Sequence, residues 1–276
     1  MENLGRFVSV SGISTADELE KINDISESKN FKFPLVIGYQ LSNKSINQGT
    51  KNLRQPNFSD LESLARKTVE FGMIPAFHYY TKSLDTTLDD LRKLASKVYA
   101  PQALIQFNTL PLSNETLEDV KDIGFGIIFK VAVSDIKSGG YSVWQGSEVE
   151  DALSGNPETL FEQVRERKDF IDYAMFDPSH GTDFTLNLDR NSLAIRLGKK
   201  IISDPSLMHL GLVYAGGINP ANVENLTRQL YENLPEDKIC IDIESGVRNK
   251  DDSLNLNKVR DYLVNYSRSQ EAIQSL

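Results

Sequence analysis

Short apolar runs alternate with longer amphipathic ones along the whole chain. Eight of the short runs read as strands: Phe7–Ser11, Pro34–Gln40, Met73–Tyr79, Ala103–Phe107, Gly126–Val133, Tyr173–Asp177, Gly211–Ala215 and Ile239–Ile243. The segments between them carry apolar residues at helical spacing. Thr15–Ser26 sets Ala16, Leu19 and Ile22 on one face, and Ser59–Phe71 does the same with Leu61, Leu64, Ala65 and Val69. Thr87–Val98, Asn114–Ile123, Pro157–Lys168, Asp189–Ile202, Pro220–Tyr231 and Asn255–Tyr266 complete the series. Ser59, Asn114 and Asn219 stand at expected N-caps, with Pro220 opening the helix after Asn219. Strict strand–helix alternation predicts an α/β fold, a (β/α)8 TIM barrel in one domain over residues 1–276, rather than an open doubly wound sheet. No early Gly-x-Gly-x-x-Gly follows a strand, which weakens a dinucleotide fold further.

Side chains alternate across a strand, so polar residues of one parity mark a face that meets solvent or ligand. Ser9 and Ser11 lie opposite Val8 and Val10, Gln106 opposite Ile105 and Phe107, and Lys130 opposite Phe129 and Val131. Tyr173, Met175 and Asp177 share one face of the sixth strand, and Cys240, Asp242 and Glu244 one face of the eighth. An inward face with Ser11, Gln106, Lys130, Asp177 and Asp242 is too polar for a simple barrel core. Its buried charges need an internal Lys–Asp pair or a ligand. His78 and Tyr79 have opposite parity, so only one can face the interior, and a structural role is expected for His78. His209 precedes the seventh strand and reads as structural. Cys240 reads as a small buried core residue.

Two blocks near the C-terminus carry the most chemistry. Gly211-Leu-Val-Tyr-Ala-Gly-Gly-Ile-Asn-Pro220 and Ile239-Cys-Ile-Asp-Ile-Glu-Ser-Gly-Val-Arg248 are each a strand running into a glycine-bearing turn. Barrels hold phosphates on the loops after their last two strands, through backbone amides. The expected partner is therefore a small phosphorylated metabolite. Two long connections, Leu41–Asn57 with Lys44, Lys51 and Arg54, and Ser134–Asn156 with Gly139-Gly140-Tyr141 and Trp144, also leave C-terminal strand ends. They read as lids or as plain surface insertions.

Composition narrows the field. The net charge of -9, with no basic stretch, argues against nucleic acid and against long-range steering of an anion. No apolar run approaches about 18 residues and the first residues hold no signal core, so no membrane association is expected. One cysteine allows no intramolecular disulfide and points to a reducing, cytoplasmic setting. Three scattered histidines lack metal-ligand spacing, so neither metal nor cofactor is expected.

The segments Ser9-Val-Ser-Gly-Ile-Ser14, Phe176-Asp-Pro-Ser-His-Gly-Thr182, Ala215-Gly-Gly-Ile-Asn-Pro-Ala-Asn-Val223 and Asp242-Ile-Glu-Ser-Gly-Val247 together resemble the phosphoribosylanthranilate isomerase family. The resemblance runs in register from first strand to eighth and is strongest over Asp177–Val247. It implies an Amadori isomerisation of a phosphorylated aminosugar. It implies Asp177 as general acid, Asp242 as a substrate contact, and Gly216, Gly217, Ser245 and Gly246 as the phosphate turns. The family's basic cysteine falls on Ser11 and its neighbouring lysine on Ser9. A serine hydroxyl alone is no base at neutral pH, and loss of a base costs about 10²–10⁴ in rate. His180, three residues after Asp177, is a candidate replacement. Arg54 is the nearest candidate for the family's carboxylate-facing arginine, though the surrounding pattern differs. Two further readings stay open: a phosphosugar lyase or aldolase using Lys130, placed early in its strand, and a non-catalytic phosphate-ligand binder.

Overall fold

The computed structural model describes residues 5–50, 52–81, 84–98, 102–108, 112–131, 157–177, 186–190 and 192–274. Eight parallel strands close into a barrel in chain order: β1 Val8–Ser11, β2 Leu35–Ser42, β3 Ile74–Tyr80, β4 Leu104–Phe107, β5 Gly126–Val131, β6 Tyr173–Phe176, β7 Gly211–Tyr214 and β8 Ile239–Ile243. This is the (β/α)8 architecture that the alternation predicts. The described helices are α1 Ala16–Ser28, α2 Asn43–Gln48, α3 Leu61–Glu70, α4 Thr87–Lys97, α5 Asn114–Ile123, α6 Pro157–Glu166, α7 Leu193–Ser203, α8 Val223–Tyr231 and α9 Leu256–Gln274. No helix among the described residues is long and apolar enough to cross a membrane.

Apolar residues of one parity pack outward under the helices, among them Val8, Val10, Ile37, Tyr39, Phe77, Tyr79, Phe129, Phe176, Ile241 and Ile243. Those of the other parity fill the lower barrel: Phe7, Val36, Ile74, Leu104, Ile128, Tyr173, Met175, Val213 and Cys240. The barrel is thus plugged by apolar side chains at its N-terminal end and polar at its C-terminal end. Burial pushes the Cys240 thiol up to about 12, so it stays a neutral core group.

Four local expectations are corrected. Helix α5 is capped by Ser113, whose hydroxyl accepts from the Thr116 amide at 3.2 Å, not by Asn114. Ser59 lies inside a 3-10 turn, Phe58–Asp60, and α3 begins only at Leu61. Asn219 does not cap a helix starting at Pro220. Its side chain accepts from the amides of Ala221 and Asn222 in a turn, and α8 starts at Val223. The polar connection after β2 contains a helix of its own, α2, capped by Ser42 through a reciprocal pair with Ser45.

Register fixes the height of each inward residue. Ser9 pairs with Val36 and Val36 with Ile74, and the partners can be followed through β4 to β8. Asp242 of β8 then pairs with Ser9 again, and the circuit slips by about eight residues, the stagger of an eight-stranded barrel of this kind. One strand step at constant height therefore advances one residue, and inward residues of alternate strands share a level. Gly38, Gln106, Met175 and Asp242 form one level. Ser11, His78, Lys130 and Ala215 lie above it. Gln40, Asn108, Asp177 and Glu244 lie at the mouth.

Candidate functional site

The upper levels hold two buried acid-centred clusters. On the β5–β6 side, Lys130 Nζ lies 2.6 Å from Asp177 Oδ2, with side chains only 7% and 12% exposed. Lys130 pairs with Met175, one residue before the end of β6, and lies at the level of Ser11, the last residue of β1. The expectation that it sits early in its strand is therefore corrected: it stands near the mouth. Its nitrogen is engaged by the Asp177 carboxylate rather than presented free to a carbonyl carbon, which counts against a Schiff-base lysine.

On the β8–β1 side, the Ser9 and Ser11 hydroxyls both donate to Asp242 Oδ1, Ser11 at 2.7 Å. Ser11 is fully buried, and Gly38 passes so close that a Cβ there would lie 2.2 Å from its Oγ. The hydroxyl proton of Ser11 is thus committed to a carboxylate.

The two glycine turns stand above β7 and β8. Gly216 and Gly217 have φ of +96° and +67°, the left-handed region that favours glycine. Their carbonyls are held from outside the turn: Leu186 N donates to Gly216 O at 3.1 Å and Asn222 Nδ2 to Gly217 O at 2.9 Å. After β8, Ser245–Val247 forms one 3-10 turn. The turns are packed together, since a Cβ on Gly246 would lie 1.9 Å from Ile218 O. Among the described residues, the amides of Gly216, Gly217, Ser245 and Gly246 donate to no protein acceptor. Free amides on two touching, partly exposed turns can cradle an anion.

Arg54 reaches this cradle from the connection after β2. Its Nε lies 2.9 Å from both Asp252 oxygens, its Nη1 2.5 Å from Glu244 Oε1 and 3.3 Å from Ser245 Oγ. Glu244 also accepts from Gln40 Nε2 at 2.7 Å. The negative charge that Glu244 adds beside the turn is thus matched by a cation. Hydrogen bonding to Asp252 is the main cause that raises the Arg54 guanidinium further above its ordinary value. Below them, buried Arg248 donates to Gly12 O and, at 3.0 Å, to Asp252 O. Burial, the largest cause, lowers its pKa from the ordinary arginine value.

The Asp252 carboxyl is held below the ordinary range, first by its hydrogen bond from Arg54. A depressed folded-state pKa contributes stability above the unfolded value of about 3.9 that is lost as pH falls through the folded one. Asp252→Asn is therefore expected to lower the melting temperature slightly at pH 7. The gap from the parent should close as the pH is taken from about 5 to about 2 in thermal melts. A gap that stays constant over that range would refute the assignment.

The structure thus brings together Ser11 and Asp242, and Gly216, Gly217, Ser245 and Gly246 with Arg54. It places Asp177 on Lys130. His180, the Ser134–Asn156 connection and its Trp144 lie outside the described residues. His78, read as structural from sequence, is the inward member of its pair. Tyr79 points outward, and its hydroxyl donates to Asp90 Oδ2 on α4 at 2.7 Å. His209 is structural as expected, its Nε2 lying 2.8 Å from Lys168 O at the N-terminal end. An open recess of about 660 Å³ lies at that same end, lined by Arg6, His209, Glu236 and Lys238 among others. That face of a barrel serves stability rather than chemistry. Among the described residues no group of three or more His, Cys, Asp or Glu could hold a metal ion.

No family model matches the chain, and no curated protein matches it in sequence. Solved structures do match it in fold. Phosphoribosyl anthranilate isomerase from Thermus thermophilus superposes with a TM-score of 0.58 at 14% identity, covering 95% of this chain and 98% of that one. The enzyme from Pyrococcus furiosus gives 0.56 at 17% identity over 95% and 99%. A phosphoribosyl anthranilate isomerase in complex with reduced 1-(o-carboxyphenylamino)-1-deoxyribulose 5-phosphate gives 0.59 at 15% identity over 95% and 99%. At such identities the likeness shows the barrel fold.

Proposed function

We propose that this chain is a phosphosugar isomerase of the phosphoribosylanthranilate isomerase type, converting a phosphorylated aminoaldose into the aminoketose by an Amadori rearrangement. The observation that carries this reading is the pair of touching turns whose four free amides stand at the same barrel end as the buried Lys130–Asp177 and Ser11–Asp242 clusters. A solved barrel of this fold holds a carboxyphenylamino-deoxyribulose phosphate, which supports the ligand class.

The chemistry is an internal redox shift that needs one proton donor and one acceptor. The Lys130–Asp177 pair supplies a proton to the furanose ring oxygen as its bond to C1 breaks, leaving an iminium at C1. A base then takes the proton from C2, the electron pair forms the C1–C2 double bond, and the nitrogen is neutralised. The protonated base then delivers its proton to C1 while the C2 hydroxyl gives its proton back to the Lys130–Asp177 pair, and the C2–O double bond of the ketone forms. No atom is lost and no external oxidant is needed. The phosphate sits on the amides of Gly216, Gly217, Ser245 and Gly246 with Arg54 at the rim, and Asp242 orients the sugar hydroxyls.

The test is an assay of the full chain with phosphoribosylanthranilate, beside calorimetry with ribose 5-phosphate. Turnover with saturable binding is expected, and Ser11→Cys is expected to change the rate by less than about tenfold, because Ser11 is bound to Asp242 and carries no proton in the reaction. Binding without turnover in both chains would leave a phosphate-ligand binder. Absence of binding would remove the phosphate reading.

A further inference from the structure

We infer that His78 is the residue that accepts the C2 proton, in the place that the resemblance assigns to Ser11. The inference rests on the isomerase reading above and adds the group that reading lacks. Three observations carry it. His78 points into the barrel, because Phe77 and Tyr79 on either side pack outward and Tyr79 is tied to Asp90. The residue is only 3% exposed, and its ring nitrogens are not among the fully buried unpaired polar atoms of the described residues, so they keep surface that opens on the barrel interior. An inward imidazole whose nitrogens stay accessible and are not tied to the protein by a hydrogen bond among the described residues can meet a molecule held at the barrel mouth. Third, the register places it at the level of Ser11 and Lys130, across the barrel from Ala215 and so beneath the Gly216–Gly217 turn. The interior of an eight-stranded barrel is just wide enough for side chains to meet. A base on β3 at that height therefore reaches the same sugar carbons as one on β1.

The alternatives at that level are spoken for. Ser11 gives its proton to Asp242, Asp242 Oδ1 already accepts two hydroxyls, and Lys130 is held by Asp177. The residues registered beside His78 are the carboxamides Gln40 and Gln106, so no charge adjoins it on its neighbouring strands. Imidazole is the one side chain whose ordinary titration range suits proton transfer near neutrality without special assistance. In the step proposed, the C2 proton moves to a ring nitrogen of His78, the C2–H bonding pair becomes the C1–C2 double bond, and the iminium pair passes to the substrate nitrogen. The imidazolium later returns its proton to C1 as the C2 hydroxyl proton goes back to the Lys130–Asp177 pair and the ketone forms.

The experiment compares the full-length parent with His78→Ala and His78→Gln, measuring turnover of phosphoribosylanthranilate, ribose 5-phosphate binding by calorimetry, and rescue by added imidazole. The expected result is ribose 5-phosphate affinity within about threefold of the parent, turnover down by about 10²–10⁴, and a saturable gain in the His78→Ala rate with imidazole. A merely structural histidine would give no such rescue. If His78→Ala fails to fold, His78→Gln, which keeps volume and polarity, must show the same loss of rate with binding retained. Turnover in either folded variant within threefold of the parent would overturn the assignment of His78 alone. A parent that binds but never converts would overturn the isomerase reading and this inference with it.

Discussion

Asp177→Leu is expected to be the most damaging single substitution at the barrel mouth, in stability and in turnover together. It leaves the Lys130 ammonium buried, at 7% exposure, without the carboxylate that now lies 2.6 Å away. Breaking a buried ion pair from one side costs about 3–5 kcal/mol, since the remaining charge keeps its desolvation penalty. For a chain of this size that lowers the melting temperature by on the order of 10 °C. The double variant Lys130→Met/Asp177→Leu removes both charges and fills similar space. It should regain most of the lost stability, because well-packed apolar replacements of buried pairs are often neutral or better. Turnover should stay down by about 10²–10⁴ in both, because both have lost Asp177 and with it the intact pair that delivers the proton to the ring oxygen. Urea unfolding and single-substrate kinetics on the parent, Asp177→Leu, Lys130→Met and the double variant separate the two roles. A double variant that regains activity along with stability would show that the pair only holds the barrel.

The barrel itself was readable because its strands have a period of two and its helices a period near 3.6, and eight such units follow one another without interruption. Parity alone assigned Ser9, Ser11, Gln106, Lys130, Asp177 and Asp242 to the interior, and the structure places them there. What escaped was set by contacts distant in sequence. Lys130 was read as deep in its strand because composition runs on to Val133, whereas its pairing with Met175 sets it one residue before the end of β6. His78 and Tyr79 look alike as a polar aromatic pair. The choice between them is made by Asp90 on α4 and by the outward core around Tyr79. Glu244 could not be matched to Arg54 from sequence, since 190 residues separate them. The capping errors are of another kind: a one-residue offset or a turn side chain changes the cap without altering the apolar pattern that announces the helix. Helix α2 escaped for the opposite reason, having six mostly polar residues and no apolar face to detect.

Gly246→Ala is expected to abolish anion binding at the candidate cradle through geometry alone. The added methyl would lie 1.9 Å from Ile218 O, 2.9 Å from Ile218 C and 3.0 Å from Asn219 Cα. All three are backbone atoms, so no side-chain rotation can relieve the clash, and the turns after β7 and β8 must separate. A phosphate held by amides from both turns loses its geometry when they part, because each hydrogen bond weakens steeply with misalignment. Ribose 5-phosphate affinity should fall by at least about 100-fold, the loss of two charge-assisted hydrogen bonds of roughly 1.5 kcal/mol each. Gly72→Ala supplies the control. Gly72, unlike Gly246, has a left-handed φ, +70°, yet a Cβ there meets nothing within 4 Å, and it lies between α3 and β3 at the far end of the barrel. It should cost about 1–2 kcal/mol of backbone strain and leave the affinity unchanged. Equal loss of affinity in both variants would mean that general destabilisation, not the cradle, governs binding. Affinity preserved in a folded Gly246→Ala chain would place the phosphate elsewhere, because the two turns cannot keep their present spacing with that methyl between them.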